Sequence, residues 1–431
     1  MLIRFEARNY RSIWEPVELS MVAIDLDREA VRPAPRLGVS LLPLAAVYGP
    51  NASGKSNVLA ALSWVRDAVQ QSLRFWEDEI PIEQFAFGEG GASSSEFVLE
   101  LEIKGIRFEY VLEVDREHVI YEGLFHYPEK KRRRIFEREE NDLKLQRGLG
   151  ELSGTRELLT QRVLALSIAR RFEERLVSEF TEALLGMQIL GHRPINRMQQ
   201  GVIVGSRPYM SRPTLRWFDD QRNDQLSLFS EEDIEDPVLR GRRQALALLR
   251  MADLGIEDVV VDNQEIRYSD SSEVRTRRRV RLVHKTTDES IPFDLGAESE
   301  GTRTWFNLIG PVLSALQSGS AVIFDELDAS LHPTLSAELL RVFHSPTTNP
   351  RGAQLIFSSH DTSLLNHLNR DEVWLTEKQD DGSTRLGALS DFAGERVRKS
   401  QNLENAYLHG RFGALPQVDQ VDLLKALGLI G

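Results

Sequence analysis

The spacing of apolar and polar residues changes several times along the chain, and each pattern predicts a different element. An unbroken apolar run over 44–48 predicts a buried strand. From Val58 to Leu73 apolar residues recur every three or four positions, which predicts an amphipathic helix. Apolar and polar residues alternate over 97–103 and 108–114, and this period of two predicts a pair of antiparallel strands.

The rest of the chain divides into further strands, helices and one region without a clear period. Two strands are predicted within 2–20, on either side of a turn at 9–12. Helix is predicted over 150–190 and over 237–251. The segment 191–236 is rich in Gly, Pro, Asp, Gln and Ser and is predicted to be irregular. Later strands are predicted at 258–261, 278–284, near Phe293, 321–324 and 354–358.

Residues 49–57 read G-P-N-A-S-G-K-S-N and match the phosphate-loop pattern G-x-x-x-x-G-K-[ST]. Glycines let backbone N–H groups turn toward a phosphate chain, Lys55 supplies a positive charge, and Ser56 offers a hydroxyl to Mg²⁺. Because a helix follows at once, its N-terminus would point at the phosphates. The predicted ATP-binding residues of this loop are Gly49, Asn51, Gly54, Lys55, Ser56 and Asn57.

Two later strands end in residues that suit the chemistry of nucleotide hydrolysis. The apolar run 321–324 is followed by Asp325, which can hold Mg²⁺, and by Glu326, which can orient and deprotonate a water molecule. The run 354–358 leads to His360, which is placed to contact a γ-phosphate. These residues predict the second half of an ATP site.

A second anion-binding feature is predicted further along the chain. Ser299 and Gly301 precede a helix that is predicted to start near Thr304, so they would lie at its N-terminus. The chain already has one phosphate loop. A second anion site makes sense if it caps the nucleotide of another subunit.

Length and composition narrow the class of protein. The 431 residues exceed a single typical domain, so two or three lobes are expected. A net charge of −13 gives no overall attraction to nucleic acid. The absence of cysteine excludes disulfides, Cys-ligated zinc and thiol catalysis. The chain start does not resemble a signal peptide and no apolar run is long enough to span a membrane, so a cytoplasmic protein without membrane contact is expected.

Three features have two interpretations each. The basic clusters 130–134 and 275–281 are interpreted first as solvated faces neutralised by neighbouring acids, with nucleic-acid contact as the alternative. Gln84 either senses a γ-phosphate and its Mg²⁺ or is an ordinary surface residue. The sequence leaves these alternatives open.

The order of these motifs resembles the ABC-type ATPase heads of the RecF, SMC and OLD lineage. The phosphate loop, a long insertion, E-S-E-G-T, F-D-E-L-D-A-S-L-H-P and S-S-H-D follow one another in that order. In detail the chain looks like the bacterial AAA15-type ATPases, which include RloA/AbiLi-like proteins of phage abortive infection. Its start, F-E-A-R-N-Y-R-S, is similar to that group's N-F-R-S opening, and residues 402–416 resemble the group's tail.

The resemblance implies that ATP and Mg²⁺ are bound and that ATP is hydrolysed between two copies of the chain. Ser299 and Gly301 would reach the γ-phosphate held by the partner head, so that two heads sandwich two ATP molecules. The implied catalytic residues are Glu326, as base, and His360, as switch histidine; the implied metal ligands are Ser56 and Asp325.

The expected fold class is α/β, namely an ABC-type P-loop ATPase head with a mixed sheet and an antiparallel β subdomain, interrupted by a mostly helical insertion. Residues 1–128 would form the N-terminal half of the head and 129–255 the insertion. Residues 256–395 would form the C-terminal half of the head, and 396–431 a tail.

The expected function is that of an ATPase that acts as sensor, regulator or scaffold in antiphage defence, as a homodimer or larger oligomer with a separate nuclease effector. OLD nucleases carry a TOPRIM domain after the head, and the residues after His360 are too few for a domain of about 100 residues, so no intrinsic nuclease is expected. The alternative is a RecF-like DNA-binding ATPase of repair or recombination. An intrinsic metal-dependent nuclease would need acids such as Asp371-Glu372 or Asp380-Asp381.

Overall fold

The computed structural model describes residues 1–146, 152, 154–191, 212–218, 237–267, 274–286, 289–329, 331–393 and 403–409. The segment 191–236, predicted to be irregular, and the tail at 396–431 therefore lie mostly outside the described residues. The chain divides into two compact units. The first unit contains 1–193, 319–327 and 340–431, and the second contains 194–318 and 328–339.

The strands of the first unit form a parallel-type sheet, a long antiparallel sheet and a small hairpin. They are β1 (Leu2–Arg8), β2 (Val17–Ser20), β3 (Arg32–Ala34), β4 (Val39–Leu41), β5 (Leu44–Tyr48), β6 (Ser95–Ile103), β7 (Ile106–Val114), β8 (Val119–Tyr127), β9 (Arg133–Glu139), β10 (Asp142–Leu145), β11 (Gln188–Leu190), β15 (Ala321–Phe324), β16 (Gln354–Ser358), β17 (Val373–Lys378) and β18 (Thr384–Ala388). Its helices are α1 (Lys55–Phe75), α2 (Thr155–Leu158), α3 (Ala165–Ala169), α4 (Arg175–Leu185), α9 (Leu389–Ala393) and α10 (Leu403–Leu408).

The sheet that carries the phosphate loop has the order β11-β15-β16-β5-β17-β18. All its neighbours pair in parallel except β17 and β18, which are antiparallel. Strands β5, β15 and β16 are buried at every position, as expected for parallel strands covered on both faces. The unbroken apolar runs of the sequence follow from this burial, and the predicted strand 44–48 and helix after it are confirmed.

The antiparallel sheet has the order β10-β9-β8-β7-β6-β1-β2. The alternation that predicted β6 and β7 is confirmed, and Ile103 pairs with Ile106 across a two-residue turn. Lys104 and Gly105 in that turn have φ angles of 53° and 81°. Two successive positive φ angles match the right-handed twist of a tight hairpin, which is why glycine is favoured there.

The continuous helix predicted over 150–190 is wrong, because α2, α3 and α4 are separated by non-helical backbone. The buried side chain of Arg138 binds the carbonyl oxygens of Thr160 and Val163, so these carbonyls serve the arginine instead of a helix. The buried carboxylate of Glu122 accepts the N–H groups of Ala165 and Leu166, and α3 starts there. Burial raises the pKa of Glu122 although Arg138 opposes that shift.

The second unit packs helices against a three-stranded sheet. Its elements are α5 (Arg212–Leu215), α6 (Pro237–Ala252), β12 (Ile256–Arg267), β13 (Val274–Lys285), β14 (Ser290–Asp294) and α7 (Glu300–Ser318). The indole of Trp305 on α7 donates to the carbonyl of Leu248 on α6 at 2.7 Å. Pro311 inside α7 removes the N–H that would bond the carbonyl of Asn307. The hydroxyl of Thr214 donates to that carbonyl instead, at 3.2 Å.

The strands β12 and β13 are longer than the predicted 258–261 and 278–284. A further helix, α8 (Pro333–His344), contains residues of both units. Strands β9 and β10 lie inside 129–255, the proposed insertion, and the domain boundaries themselves stay a prediction. Within the part of the chain that the structure describes, no helix is both long and apolar enough to cross a membrane.

Candidate nucleotide site

The phosphate loop joins the end of β5 to the start of α1. Gly49 and Gly54 have φ angles of 153° and 104°, and Ala52 also has a positive φ of 62°. The N-cap residue of α1 is Gly54, which has no side chain to cap the helix, and the first turn of α1 contains no acidic residue. The first N–H groups of a helix have no partners within it, so this terminus presents donors and a positive dipole end to an anion.

The side chain of Lys55 lies along this loop. Its ammonium donates to the carbonyl oxygens of Gly49, at 2.8 Å, and Pro50, at 3.0 Å. Only 5 % of the residue is exposed. The positive charge is thus held inside the loop, next to the donors of the helix N-terminus.

Two threonines that the sequence analysis missed hold the loop from β17 and β18. The hydroxyls of Thr376 and Ser53 lie 2.6 Å apart, and Thr376 also donates to the carbonyl of Tyr48. A Cβ on Gly49 would collide with Thr376, and one on Gly54 would collide with Thr384. The glycines of the pattern are therefore required by close packing as well as by their φ angles.

Asp325 and Glu326 follow β15 directly, and Ser358 at the end of β16 joins them. The hydroxyl of Ser358 donates to the Asp325 carboxylate at 2.6 Å, and the backbone N–H of Glu326 donates to the same hydroxyl at 2.8 Å. Glu326 has a φ of 57°, a left-handed conformation that is uncommon outside glycine. Its side chain is exposed. The buried Ser358 was not singled out from the sequence.

Strand β11 supports Asp325 from its other side. The backbone N–H of Asp325 donates to the carbonyl of Leu190 at 3.0 Å. The next residue, Gly191, has a φ of 76°, and a Cβ there would collide with the Asp325 carbonyl. A glycine at this position lets the two backbones approach.

His360 comes two residues after β16 and is exposed. The following residue, Asp361, donates its N–H to Ser359 and accepts a hydrogen bond from the Tyr48 hydroxyl at 3.0 Å. Because β16 pairs with both β5 and β15, these strands end at one edge of the sheet. The phosphate loop, Asp325-Glu326 and His360 all follow these strand ends.

The other two predicted anion-binding residues belong to the second unit. Ser299 accepts the N–H of Thr302 at 3.1 Å and so caps the first turn of α7. A Cβ on Gly301 would meet no atom closer than the Ser299 hydroxyl at 3.9 Å. The helix starts four residues before the predicted Thr304 and includes Gly301.

Gln84 is buried, so its interpretation as a surface glutamine is wrong. Its side-chain amide donates to the carbonyl of Ser93 at 2.6 Å. It lines a cavity of about 480 Å³ beside the start of α1. The lining residues are Arg11, Ser12, Asn57, Glu83, Gln84, Phe85, Ala86, Phe87 and Gly382.

The three arginines of the first basic cluster each pair with a nearby glutamate. Arg132 pairs with Glu109 and Arg134 with Glu137, each at 2.8 Å. The hydrogen bond from Arg134 lowers the pKa of Glu137. This pairing favours the interpretation as a solvated face.

The second basic cluster lies on β13, opposite an acidic β12. Arg281 pairs with Asp262 at 2.5 Å, and Arg279 pairs with Asp294 on β14, also at 2.5 Å. The side chains at 275 and 277 lie outside the described residues. The two described pairs again favour a solvated, self-neutralised face.

Three of the four acids considered for an intrinsic nuclease, Asp371, Glu372 and Asp381, have hydrogen-bond or ion-pair partners. Asp371 and Glu372 are buried and both pair with Arg28, at 2.7 and 3.1 Å. Bonds from the hydroxyl and N–H of Ser383 lower the pKa of Asp381. Among the described residues no group of three His, Cys, Asp or Glu side chains could hold a metal ion. The pairs with Arg28 place Asp371 and Glu372 in a buried ionic cluster.

The donor set fits a nucleoside triphosphate with its metal. An uncapped helix N-terminus and a buried lysine match phosphate oxygens. The hydroxyl of Ser56 and the carboxylate of Asp325 are hard oxygen ligands of the kind that Mg²⁺ prefers. The geometry thus suits phosphate binding at the loop and water activation near Glu326.

Comparison with known proteins gives one family match. The AAA_21 family, described as "AAA domain, putative AbiEii toxin, Type IV TA system", matches residues 44–366, more than half of the chain. No curated protein matches the sequence. The match spans the phosphate loop, Asp325-Glu326 and His360.

Among solved structures, the chain is similar to SMC head domains. The Thermotoga maritima head shares 13 % identity over 90 % of this chain and 98 % of that chain, with a TM-score of 0.40. The Pyrococcus furiosus head with an extended coiled coil, bound to the C-terminal domain of ScpA, shares 10 % identity over 90 % and 97 %, with a TM-score of 0.42. Such distant likenesses carry no conclusion about activity or partners.

Proposed function

The chain belongs to the AAA_21 family, and on that premise we propose that it binds and hydrolyses ATP as an ABC-type ATPase. The observation that carries the proposal is the uncapped N-terminus of α1 with Lys55 held in the loop, at the sheet edge where Asp325-Glu326 and His360 also follow strand ends. Such an arrangement combines phosphate binding with groups that can activate water.

Each residue would have a distinct task. Lys55 and the N–H groups of the loop would bind the β- and γ-phosphates, with Lys55 leaving the carbonyls it now contacts. Mg²⁺, held by Ser56 and Asp325, would neutralise the charge that develops on the phosphates. Glu326 would orient the attacking water and accept its proton. His360 would contact the γ-phosphate from the neighbouring strand end.

The remaining residues predicted from the sequence would complete the nucleotide site. Asn51 and Asn57 belong to the loop, and Asn57 also lines the cavity beside it. That cavity is a candidate place for the nucleoside, with Phe85 and Phe87 as aromatic residues that a base can contact. Ser299 and Gly301 of a second copy would cap the γ-phosphate, which makes the active form a homodimer or a larger homo-oligomer.

The proposed setting is antiphage defence, in which the ATPase regulates a separate effector, a nuclease. The support is the family description, which includes AbiEii toxin, together with the AAA15-like motifs of the sequence. A RecF-like DNA-binding ATPase is the alternative. It requires DNA-stimulated hydrolysis, and the local pairing of both basic clusters gives it less support.

The test of the ATPase proposal uses two variants with matched controls. Lys55→Ala should abolish ATP binding, whereas Lys104→Ala, at an exposed lysine paired with Glu179, should bind as wild type does. Glu326→Gln should bind ATP and lose hydrolysis, and Glu129→Gln, an exposed partner of Arg133, should leave turnover unchanged. Tight ATP binding by Lys55→Ala, or normal turnover by Glu326→Gln, would contradict the assignment.

Mass in solution tests the assembly. The Glu326→Gln variant, measured with and without ATP and Mg²⁺, should shift from monomer to dimer when ATP is added. A constant larger oligomer would show instead that assembly does not depend on the nucleotide.

A further inference from the structure

We propose that Ser12 and Thr384 are positioning residues, which fix the phosphate loop and thereby set its affinity for ATP. They act through a series of hydrogen bonds, called here the hydroxyl network, in which every bond donates in the same direction. Neither lies in the loop: Ser12 belongs to the turn between β1 and β2, and Thr384 is the first residue of β18. The inference rests on the proposed ATPase function and adds a requirement that the phosphate-loop pattern does not contain.

The hydroxyl network consists of three hydrogen bonds. The side-chain amide of Asn57 donates to the Ser12 hydroxyl at 2.6 Å. The hydroxyls of Ser12 and Thr384 lie 2.7 Å apart. The Thr384 hydroxyl donates to the carbonyl of Ser53 at 2.9 Å. The hydroxyl network thus links Ser53, in the loop before Lys55, to Asn57, in the first turn of α1.

The donor and acceptor of each bond in the hydroxyl network follow from the number of protons that each group carries. A hydroxyl has one proton, and the proton of Thr384 goes to the Ser53 carbonyl, which can only accept. Ser12 must therefore donate to Thr384, and its own oxygen accepts from Asn57. Each hydroxyl accepts one bond and donates one, so removing either hydroxyl takes the acceptor from one neighbour and the donor from the other.

The bond at Ser53 determines which way the loop presents a donor. The peptide unit between Ser53 and Gly54 is planar and trans, so its N–H points away from its carbonyl. When Thr384 holds the Ser53 carbonyl, the Gly54 N–H must point to the opposite side. The Thr384 side chain also fills the space where a Cβ of Gly54 would stand, so the contact is close.

The β1–β2 turn is itself held rigidly, which makes Ser12 a fixed anchor. The Thr384 N–H donates to the Ser12 carbonyl at 2.7 Å, and the Arg11 N–H donates to the Glu83 carbonyl at 2.6 Å. The side chain of Asn9 binds the carbonyls of Gly90, Ser93 and Ser94. Rigid support of this kind lowers the entropy that the loop would lose on binding phosphate.

The decisive variant is Thr384→Val, which keeps the shape of the side chain and removes its hydroxyl. It should raise the Kd and KM for ATP at least tenfold with kcat changed less than threefold, because Asp325, Glu326 and His360 follow other strands. Thr384→Ser retains the hydroxyl and should restore the affinity to within threefold of wild type. Thr181→Val is the matched control, since among the described residues that buried hydroxyl donates within α4, to the carbonyls of Val177 and Ser178.

A second measurement needs no nucleotide. Hydrogen exchange in peptides that cover 49–57 should be faster in Thr384→Val than in wild type, Thr384→Ser or Thr181→Val. A double-mutant cycle adds a further criterion: Ser12→Ala combined with Thr384→Val should bind ATP no more than twofold more weakly than Thr384→Val alone, because both changes break the hydroxyl network.

The outcomes separate this inference from the ATPase proposal. If Thr384→Val binds ATP as tightly as wild type and its loop exchanges at the wild-type rate, the positioning role is overturned while the ATPase proposal stands. Additive losses in the double-mutant cycle would also overturn it. If wild type does not bind ATP at all, the ATPase proposal and the claim about affinity both fail. Hydrogen exchange then still decides whether the hydroxyl network fixes the loop.

Discussion

At the scale of single residues, the loop glycines are constrained by protein neighbours before any phosphate arrives. Gly49 lies against Thr376, and Gly54 lies against Thr384. The motif describes which residue types can cradle phosphate, but the same glycines are needed for β17 and β18 to pack against the loop. A change at either position therefore acts on stability and on binding together.

Gly49→Ala should destabilise the protein by about 1–3 kcal/mol through overpacking and should weaken ATP binding at least tenfold. Urea denaturation and equilibrium ATP titration measure the two effects. Gly38→Ala is the control, because Gly38 also has a positive φ, of 76°, but a Cβ there meets no atom within 4 Å. Equal ATP binding by both variants would contradict the packing argument.

His126 predicts a pH dependence of stability. Both of its ring nitrogens are buried, and within the described residues neither has a hydrogen-bond partner. Burial, and then the charge of Arg133, lowers the pKa of His126, with Glu174 opposing and Arg175 adding to the shift. As the pH falls below about 6.5, His126 is therefore protonated more readily in the unfolded chain than in the native protein.

As the pH falls from 7.5 to 5.5, the free energy of unfolding should therefore decrease. This decrease should be smaller for His126→Phe than for wild type. Urea denaturation at the two pH values measures this. An identical decrease in the His126→Phe protein would exclude His126 as its source.

At the scale of elements, β17 is anchored at its start by a buried ionic cluster. Arg28 pairs with Asp371 and Glu372, which precede β17, and the N–H groups of Ile24 and Asp25 donate to Asp371. The same strand carries Thr376 to the phosphate loop. The cluster therefore fixes a strand on which the loop depends.

Arg28→Met should destabilise the protein by about 3–5 kcal/mol, because it removes the arginine that pairs with two buried carboxylates. Chemical denaturation measures the change. Arg133→Met removes a pair with Glu129 in which both side chains are exposed, and should cost less than about 1 kcal/mol. Similar losses of unfolding free energy in the two variants would show that the buried cluster contributes no more to stability than an exposed ion pair does.

The sequence predicted those elements whose cause is local and missed those whose cause is distant. The strand 44–48, the helix after it and the β6–β7 turn follow from periodicity and turn chemistry within a few residues. The break in the helix at 159–164 depends on Arg138, and the roles of Ser358 and Thr384 depend on contacts more than 30 and 300 residues away. Hydroxyl residues of this kind have no sequence pattern of their own.

At the scale of the whole molecule, the shared site makes a quantitative prediction. Lys55→Ala and Ser299→Arg subunits should each be inactive alone, because one lacks the phosphate lysine and the other blocks the capping helix. In a mixed two-fold dimer, one site carries both defects and the other carries none. Random mixing should therefore restore about a quarter of wild-type ATP hydrolysis.

Steady-state hydrolysis of the mixture measures this recovery. Mixing two batches of Lys55→Ala protein is the control and should restore nothing. A mixture of the two variants that stays inactive, while light scattering shows that dimers form, would contradict a site shared between copies.

The distance in sequence between the loop and its threonines has a consequence for synthesis. Ser53 and Thr376 are 323 residues apart, so the loop leaves the ribosome long before β17 exists. At about 5–20 residues per second, this delay is roughly 15–65 s. During that time the nascent loop lacks the contacts that fix its glycines. Nucleotide capture would thus begin only after β17 has been synthesised, and shorter nascent chains would not compete for ATP.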